Sequence, residues 1–189
     1  MARWQPGAPD RLQQAAMELF AERGFEATTV ADIAARAGVT ERTFFRHFAD
    51  KREVLFFGQD LLQSAFVGAI TDAPEGMSAI ALVSAALEAG AKGLQEARGQ
   101  SHARARDAII SANHALQERE LLKLAGLARA VTAALVARGV APARARLAGD
   151  LAMAAFAAAF QQWVESGQTR DLTDLVHEAT STLRDIATS

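Results

Sequence analysis

The sequence of 189 residues has no cysteine and no tyrosine, and it has only four prolines. Because cysteine is absent, disulfide bonds and thiolate chemistry are excluded, which is compatible with a reducing compartment. Valine and isoleucine are scattered rather than clustered, so β-strands are poorly supported. The frequent alanine, leucine, arginine and glutamate favour helix instead. We therefore expect a globular protein built from helices.

Segments that would direct or anchor the chain to a membrane are also weakly represented. The first residues lack the apolar core of a signal peptide. The longest uncharged run near the C-terminus, 151–164, has 14 residues and includes two glutamines, so it is too short and too polar to span a bilayer. These features predict a cytoplasmic protein.

Positive charge is concentrated in one part of the sequence. The formal net charge is −2, so bulk charge does not indicate a nucleic-acid partner. Between residues 36 and 52, however, five basic residues stand against two acidic ones, Glu41 and Asp50. His47 lies in the same stretch. The five basic residues are Arg36, Arg42, Arg46, Lys51 and Arg52.

Apolar spacing and capping residues predict a helical N-terminal segment. A loose arm, 1–9, is followed by a first helix that we expect Asp10 to cap and Gly24 to end. Thr29 and Asp32 form a capping-box pattern for the second helix, which ends at a turn at Gly38. Thr40 begins a short third helix that reaches Phe48. A long fourth helix is predicted to start between Asp50 and Glu53.

The remainder predicts a larger helical body. Residues 72–76, which include Pro74 and Gly76, break the chain. Five further helices are expected near 77–97, 102–115, 118–138, 143–166 and 172–187. The predicted separators are Gly99, Gly139 with Pro142, and Gly167.

The second and third helices with their glycine turn have a helix-turn-helix arrangement. At about 100° per residue, Phe44 and Phe48 fall on one side of the third helix, where they can anchor it. Arg42 and Arg46 lie on another side, with Thr43 and His47 beside them. Arginine pairs with guanine and threonine contacts phosphate or a thymine methyl group. The pattern itself leaves two interpretations open, a DNA-reading face or an ordinary solvated one.

At this point the sequence resembles a known family. The order and spacing of the residues over roughly 10–56 are similar to those of the DNA-binding domain of TetR-type regulators. The matching residues are Gly24-Phe25, Thr29-Val30, Ile33-Ala34, Ala37-Gly38-Val39-Thr40, Thr43, Phe44, His47-Phe48 and Lys51. The C-terminal part matches only in length, helical content and layout.

The resemblance implies roles for individual residues. Six residues of the third helix would lie at or near DNA: Thr40, Arg42, Thr43, Phe45, Arg46 and His47. Thr29 and Lys51 would contact flanking phosphates, and Lys51 is also expected at the positive N-terminus of the fourth helix. The chain departs from the family at Phe45, where tyrosine is usual. Phe45 lacks the hydroxyl that reaches a phosphate, so it packs against sugar, a thymine methyl group or the core.

The resemblance also implies a homodimer in which the last two helices form a four-helix interface. Phe156, Phe160, Trp163 and Val164 make one bulky stripe, and the alanines among 154–159 leave slim faces for close contact. The final helix carries a matching apolar face. Its members are Leu172, Leu175, Val176, Ala179, Leu183 and Ile186.

A small-molecule pocket within the C-terminal body is a further expectation from the resemblance. Its predicted apolar lining suggests a hydrophobic effector, with two polar residues to orient it. Taken singly, each of these residues is better explained by an ordinary core or surface position. The predicted lining consists of Phe66, Ile110, Met153, Phe156 and Trp163, with Asn113 and His114 as the polar members.

Other kinds of site have little support in the sequence. The four histidines show no tight metal-ligand spacing, and no phosphate loop or nucleophile elbow is present. We therefore predict no metal, cofactor or catalytic residue. The alternatives are an architectural DNA-binding protein without an effector and, with less support, an enzyme on a helical scaffold.

These observations predict an all-α fold in two parts. Residues 1–52 would form a three-helix DNA-binding domain, and residues 53–189 a helical bundle for ligand binding and dimerisation. The predicted function is transcriptional regulation, with repression relieved when a small hydrophobic ligand releases the protein from a palindromic operator. The expected partners are double-stranded DNA, a second copy of the chain and a small-molecule effector, with no membrane.

Overall fold

A computed structural model describes residues 7–165 and 169–188 of the chain. Regular structure in these residues is entirely helical, so the predicted all-α fold class is confirmed. The elements are α1 (Ala8–Arg23), α2 (Val30–Arg36), α3 (Glu41–His47), a 3-10 helix (Glu53–Phe56), α4 (Gln59–Thr71), α5 (Ala79–Ser111), α6 (His114–Ala137), α7 (Pro142–Val164) and α8 (Leu172–Thr188).

The helix ends follow the predicted caps with one exception. Thr29 and Asp32 form a reciprocal capping box at the start of α2, and the Thr40 side chain caps α3. Gly24 ends α1 with a φ of 84°, a conformation that glycine adopts without strain. Asp10, in contrast, does not cap α1. The helix begins at Ala8, because Pro9 is well suited to its first turn, and Asp10 lies within that turn.

The predicted start of the fourth helix is wrong. The segment forms a short 3-10 helix and then bends at Gly58, whose φ is 89°, before α4 begins at Gln59. The stretch Glu53–Thr71 is long and apolar enough to cross a membrane by length and composition alone. Its buried residues belong to two separate cores, which is typical of core segments in a globular protein.

Helix α5 combines the two helices predicted near 77–97 and 102–115. Gly99, with φ 71° and ψ 163°, is non-helical and separates two helical segments at the predicted position, although the range of α5 runs across this kink. The predicted breaks after α4 and at Gly139 are present, and Gly139 has a φ of 84°. Gly167 lies outside the described residues.

The chain forms two compact units that differ from a simple division in sequence. The first contains residues 1–59 and 105–117, and the second contains 60–104 and 118–189. A segment of 13 residues that is distant in sequence therefore completes the N-terminal unit. The helices α5 and α6 each contribute residues to both units.

The core of the first unit explains why the distant segment belongs to it. Leu12, Ile33 and Phe44 from the first three helices are fully buried in one cluster. Ile110 and Leu116 join the same cluster and are 5% and 0% exposed. Their burial removes two large apolar side chains from water, which stabilises the unit by several kcal/mol, at about 1.5–3 kcal/mol for each side chain.

The second unit has its own core, in which Phe66 of α4 occupies a notch in α5. A Cβ atom on Gly90 would lie 1.9 Å from the Phe66 Cε2 atom, so only glycine leaves room for the ring. Phe156 meets Phe66 edge-on, with ring centroids 5.3 Å apart. Phe66 is thus held on two sides, and it fixes α4 against α5 and α7.

Polar side chains fix the ends of α7 and α8 in the same unit. Gln100 donates to the Trp163 carbonyl at 2.6 Å, and Arg104 donates to the Val164 carbonyl at 2.7 Å. On the other side of the Gly99 kink, Gln95 accepts from the Leu172 amide at 2.9 Å. These bonds satisfy carbonyl and amide groups that a helix end leaves without an internal partner.

Candidate nucleic-acid interface

The turn between α2 and α3 is fixed by backbone geometry and side-chain caps. Gly38 adopts a φ of 68°, which turns the chain sharply after α2. The Thr40 hydroxyl then accepts from the Thr43 amide at 3.2 Å and lies 3.1 Å from the Thr43 hydroxyl. The hydroxyl groups of both threonines are therefore engaged in hydrogen bonds at the first turn of α3.

Helix α3 has one buried side and one exposed side. Phe44 is 0% exposed and Phe48 is 5% exposed, and their ring centroids are 5.3 Å apart. These two rings anchor the helix in the core of the first unit, as the spacing predicted. The opposite side presents Arg42, Arg46 and His47 to solvent.

Phe45 lies on the exposed side of α3, with 55% of its surface accessible. It touches the edge of Phe44, at a centroid distance of 5.5 Å and an interplanar angle of 79°. Phe45 therefore does not pack in the core of the chain. The two other expected environments, a sugar and a thymine methyl group, stay open.

The positive charges near α3 are not equally available to a partner. Arg36 pairs with Glu22 at 2.9 Å and with Glu18 at 3.3 Å, and Arg52 pairs with Asp50 at 2.7 Å. Hydrogen bonding to Arg36 lowers the pKa of the Glu22 carboxyl, and the partner carboxylates raise the pKa of Arg36. Both arginines are therefore largely neutralised by neighbours.

Arg42 and Arg46 differ from those arginines. Among the described residues, no carboxylate lies within ion-pair distance of either guanidinium, and Arg46 has only a 3.5 Å contact with His47. Within residues 36–52, the arginines without a carboxylate partner therefore lie on the outward face of α3. Arginine forks of this kind bind phosphate oxygens or the N7 and O6 acceptors of guanine.

Lys51 has a structural role that the sequence did not predict. Its ammonium donates to the Phe25 carbonyl at 2.6 Å and to the Thr28 carbonyl at 2.8 Å, and it lies 4.1 Å from the centre of the Phe25 ring. Partial burial lowers the pKa of Lys51. Lys51 lies in a turn rather than at the start of a long helix, so the expected help from a helix N-terminus is absent.

Comparison with known proteins identifies the kind of protein that carries this geometry. Residues 12–56 match the family described as bacterial regulatory proteins of the tetR family. Residues 77–187 match the family described as the MftR C-terminal domain, and this match covers more than half of the chain. The chain belongs to the tetR family. It is therefore a DNA-binding transcriptional regulator.

Individual relatives are similar to this tetR-family chain either over part of its sequence or in fold. It is 41% identical over 80 residues to the regulator TcmR of Streptomyces glaucescens, a match that covers 42% of the chain and 35% of TcmR. FadR of Bacillus subtilis, solved with stearoyl-CoA, has a TM-score of 0.59 and 21% identity, and covers 92% of the chain and 96% of FadR. The FadR repressor of Thermus thermophilus, solved with lauroyl-CoA, has a TM-score of 0.55 and 19% identity, with 93% of each chain covered.

The structure places the predicted DNA-binding residues of this tetR-family regulator together in the first unit. Thr29, Thr40, Arg42, Phe45, Arg46 and His47 are exposed, while Thr43 and Lys51 are half-buried. The Thr29 hydroxyl is occupied in the α2 cap, where it donates to Asp32 at 2.6 Å. Their contacts with DNA remain predictions.

The predicted ligand residues are divided between the two units. Phe66, Met153, Phe156 and Trp163 belong to the core of the second unit. Ile110, Asn113 and His114 belong to the first unit. Asn113 caps the start of α6 by accepting from the Leu116 amide at 3.3 Å and donates to Glu26 at 2.8 Å, so both ends of its amide are occupied. A cap signal was present in the sequence, because asparagine precedes the helical stretch.

A groove lies between α7 and α8, on the surface of the second unit. It has a volume of about 240 Å³ and a mostly apolar lining. None of the seven predicted ligand residues belongs to that lining, which consists of Ala154, Ala155, Ala158, Gln162, Leu175, Glu178, Ala179, Thr182 and Leu183. The exposed Leu147 and Leu151 lie on the same face of α7 as Ala154 and Ala158, closer to the start of the helix.

The apolar face predicted for α8 has two different surroundings. Leu172, Leu175 and Val176 are at most 1% exposed, and they fill the core of the chain itself. Ile186 is 70% exposed, and Ala179 and Leu183 are partly buried. Only the C-terminal half of this face is therefore free to contact a second molecule.

Proposed function

We propose that this regulator represses transcription as a cytoplasmic homodimer that binds a pseudo-palindromic operator through two copies of α3. The observation that carries the proposal is the pair Arg42 and Arg46, which face solvent without carboxylate partners in the described structure. When such unpaired cations bind a polyanion, they displace its condensed counterions into solution, and this release favours binding.

Dimer formation supplies the specificity that one short helix lacks. Helix α3 has seven residues, and it covers only a few base pairs. Two-fold pairing would place two copies about one helical turn of DNA apart, roughly 34–36 Å, or a multiple of that distance. The α7–α8 groove with Leu147 and Leu151 supports the proposal that these two helices pair with those of a second copy.

In functional terms, we assign DNA binding to residues 1–52 and ligand binding and dimerisation to residues 53–189. The contribution of 105–117 to the first unit adds a reason for ligand response, since α5 continues from the second core into the first. A ligand that favours one position of α5 or α4 would then shift the DNA-binding equilibrium.

The proposed effector is an apolar molecule with a long hydrocarbon portion, such as a fatty acyl thioester. Phe66, Phe156, Phe160 and Trp163 form a continuous row of rings, with successive centroids 5.3, 6.5 and 6.2 Å apart. If a ligand separated the surrounding helices, this row would give it a long apolar surface to bind. The acyl-CoA bound to the two FadR proteins is consistent with this choice.

The test begins with an operator selected by the wild-type protein from a random duplex library. Binding is then measured by fluorescence anisotropy during titration with acyl-CoA thioesters of increasing chain length, with free CoA as the control. We expect thioesters to release the operator and CoA to have no effect. Selection of an operator that no acyl-CoA releases would contradict the effector assignment, and failure to select any preferred sequence would favour the architectural alternative.

A further inference from the structure

Phe45 is an exposed apolar ring on a helix face that is otherwise polar. The neighbouring aromatic residues Phe44 and Phe48 are 0% and 5% exposed, whereas Phe45 is 55% exposed. Its ring has no donor or acceptor, so it cannot hydrogen-bond a phosphate or a base edge. Single exposed apolar residues are common on protein surfaces, and it is the position of this one on α3 that gives it a specific partner.

The helical positions define what lies beside Phe45. At about 100° per residue, Phe45 follows Glu41 by one turn and lies on the same edge of α3, next to Arg42. Glu41 is exposed, and no basic side chain pairs with it in the described part of the chain. A free carboxylate at the sugar–phosphate backbone would be repelled by the phosphates. The Glu41–Phe45 edge is therefore better suited to base edges than to the backbone.

The major groove offers suitable partners for both side chains. Cytosine presents its N4 amino donor, which a carboxylate accepts, and thymine presents its C5 methyl group, the apolar group of the groove. We propose that Phe45 packs against the 5-methyl group of a thymine and so makes the operator select thymine at one position in each half-site. This inference rests on the proposed function, because it requires α3 to enter the major groove.

The proposal can be tested by removing the methyl group alone. In the selected operator, each thymine is replaced in turn by deoxyuridine, symmetrically in both half-sites, and dissociation constants are measured for the wild type, Phe45→Ala and Leu122→Ala. Leu122 is 63% exposed on α6 and serves as the matched control. Because Phe45 is outside the core, Phe45→Ala should fold, which circular dichroism verifies.

We expect deoxyuridine at one position to weaken wild-type binding about fourfold for each half-site, the effect of losing one buried methyl group. Leu122→Ala should show the same loss, and Phe45→Ala should bind thymine and deoxyuridine operators equally. Equal sensitivity in Phe45→Ala, or no sensitive position in the wild type, would overturn the proposal. A wild-type protein that selects no operator would instead refute the proposed function, and the inference with it.

Discussion

The packing of Phe66 against Gly90 allows a double-mutant prediction with an internal control. Because a Cβ atom on Gly90 would lie 1.9 Å from the Phe66 ring, Gly90→Ala must displace that ring. The ring is 0% exposed and held by Phe156, so it has no alternative position nearby. Overpacking of this kind costs about 1–3 kcal/mol.

The same substitution should be favourable once the ring is removed. Phe66→Ala alone should lower the free energy of unfolding by about 3–5 kcal/mol, because it leaves a cavity. In that background, Gly90→Ala no longer clashes, and the better helix propensity of alanine adds about 0.8–1 kcal/mol. The two substitutions should therefore couple by about 2–4 kcal/mol.

Urea unfolding, followed by circular dichroism, measures the four free energies of the cycle. Gly93→Ala is the matched control on the same helix, since its Cβ atom would lie 3.9 Å from the Ala65 Cβ atom, an ordinary contact. It should stabilise the wild type by about 0.8–1 kcal/mol. If Gly90→Ala were as harmless as Gly93→Ala in the wild type, the account of how α4 is held would be refuted.

Three further predictions concern the interfaces and the α2 cap. Ala158→Glu should convert the dimer to monomers in sedimentation at micromolar concentration, because it places a charge in the α7–α8 groove. The control Ala133→Glu, on α6, should leave the dimer intact. A monomeric wild type would contradict the proposal. Lys51→Met should lower the melting temperature, because two carbonyls lose their donor. It should also weaken binding to all DNA sequences and reduce the slope of log affinity against log salt concentration by about one. An unchanged slope would contradict a phosphate contact by Lys51. Hydrogen bonds from Thr29 lower the pKa of Asp32, so its stabilising effect is present above the pKa of the unfolded state and is lost as the pH falls through the lower folded value. Asp32→Asn should accordingly flatten the acid limb of a plot of melting temperature against pH, and an unchanged limb would contradict this role.

Local signals in the sequence were sufficient for much of the fold. Thr29 and Thr40 cap helices because a hydroxyl accepts from a nearby amide, which depends only on neighbours in sequence. The inward position of Phe44 and Phe48 followed from helical periodicity in the same way. Gly99 was expected to separate two helices, and its non-helical backbone does separate two helical segments within the range of α5.

Features that depend on distant contacts were not predictable in this way. The participation of Ile110 in the first core is fixed by tertiary packing, and its apolar character alone fits either core. The contacts of Lys51 within the chain could not be predicted because its carbonyl partners, at Phe25 and Thr28, lie more than 20 residues away in sequence. The pairing of Arg36 with Glu18 and Glu22, which are 18 and 14 residues away in sequence, likewise became visible only from the folded chain.

The central claim, that this regulator reads DNA through α3, is tested most directly by comparing Arg42→Ala with Arg129→Ala. Both side chains are exposed, but Arg129 lies on α6 in the second unit. Affinity is measured for the selected operator and for a scrambled duplex of the same composition. Arg42→Ala should weaken operator binding by roughly 5- to 150-fold, the effect of losing a bidentate guanine contact, with a much smaller change on the scrambled duplex. Equal operator affinity for the wild type, Arg42→Ala and Arg129→Ala would contradict the claim.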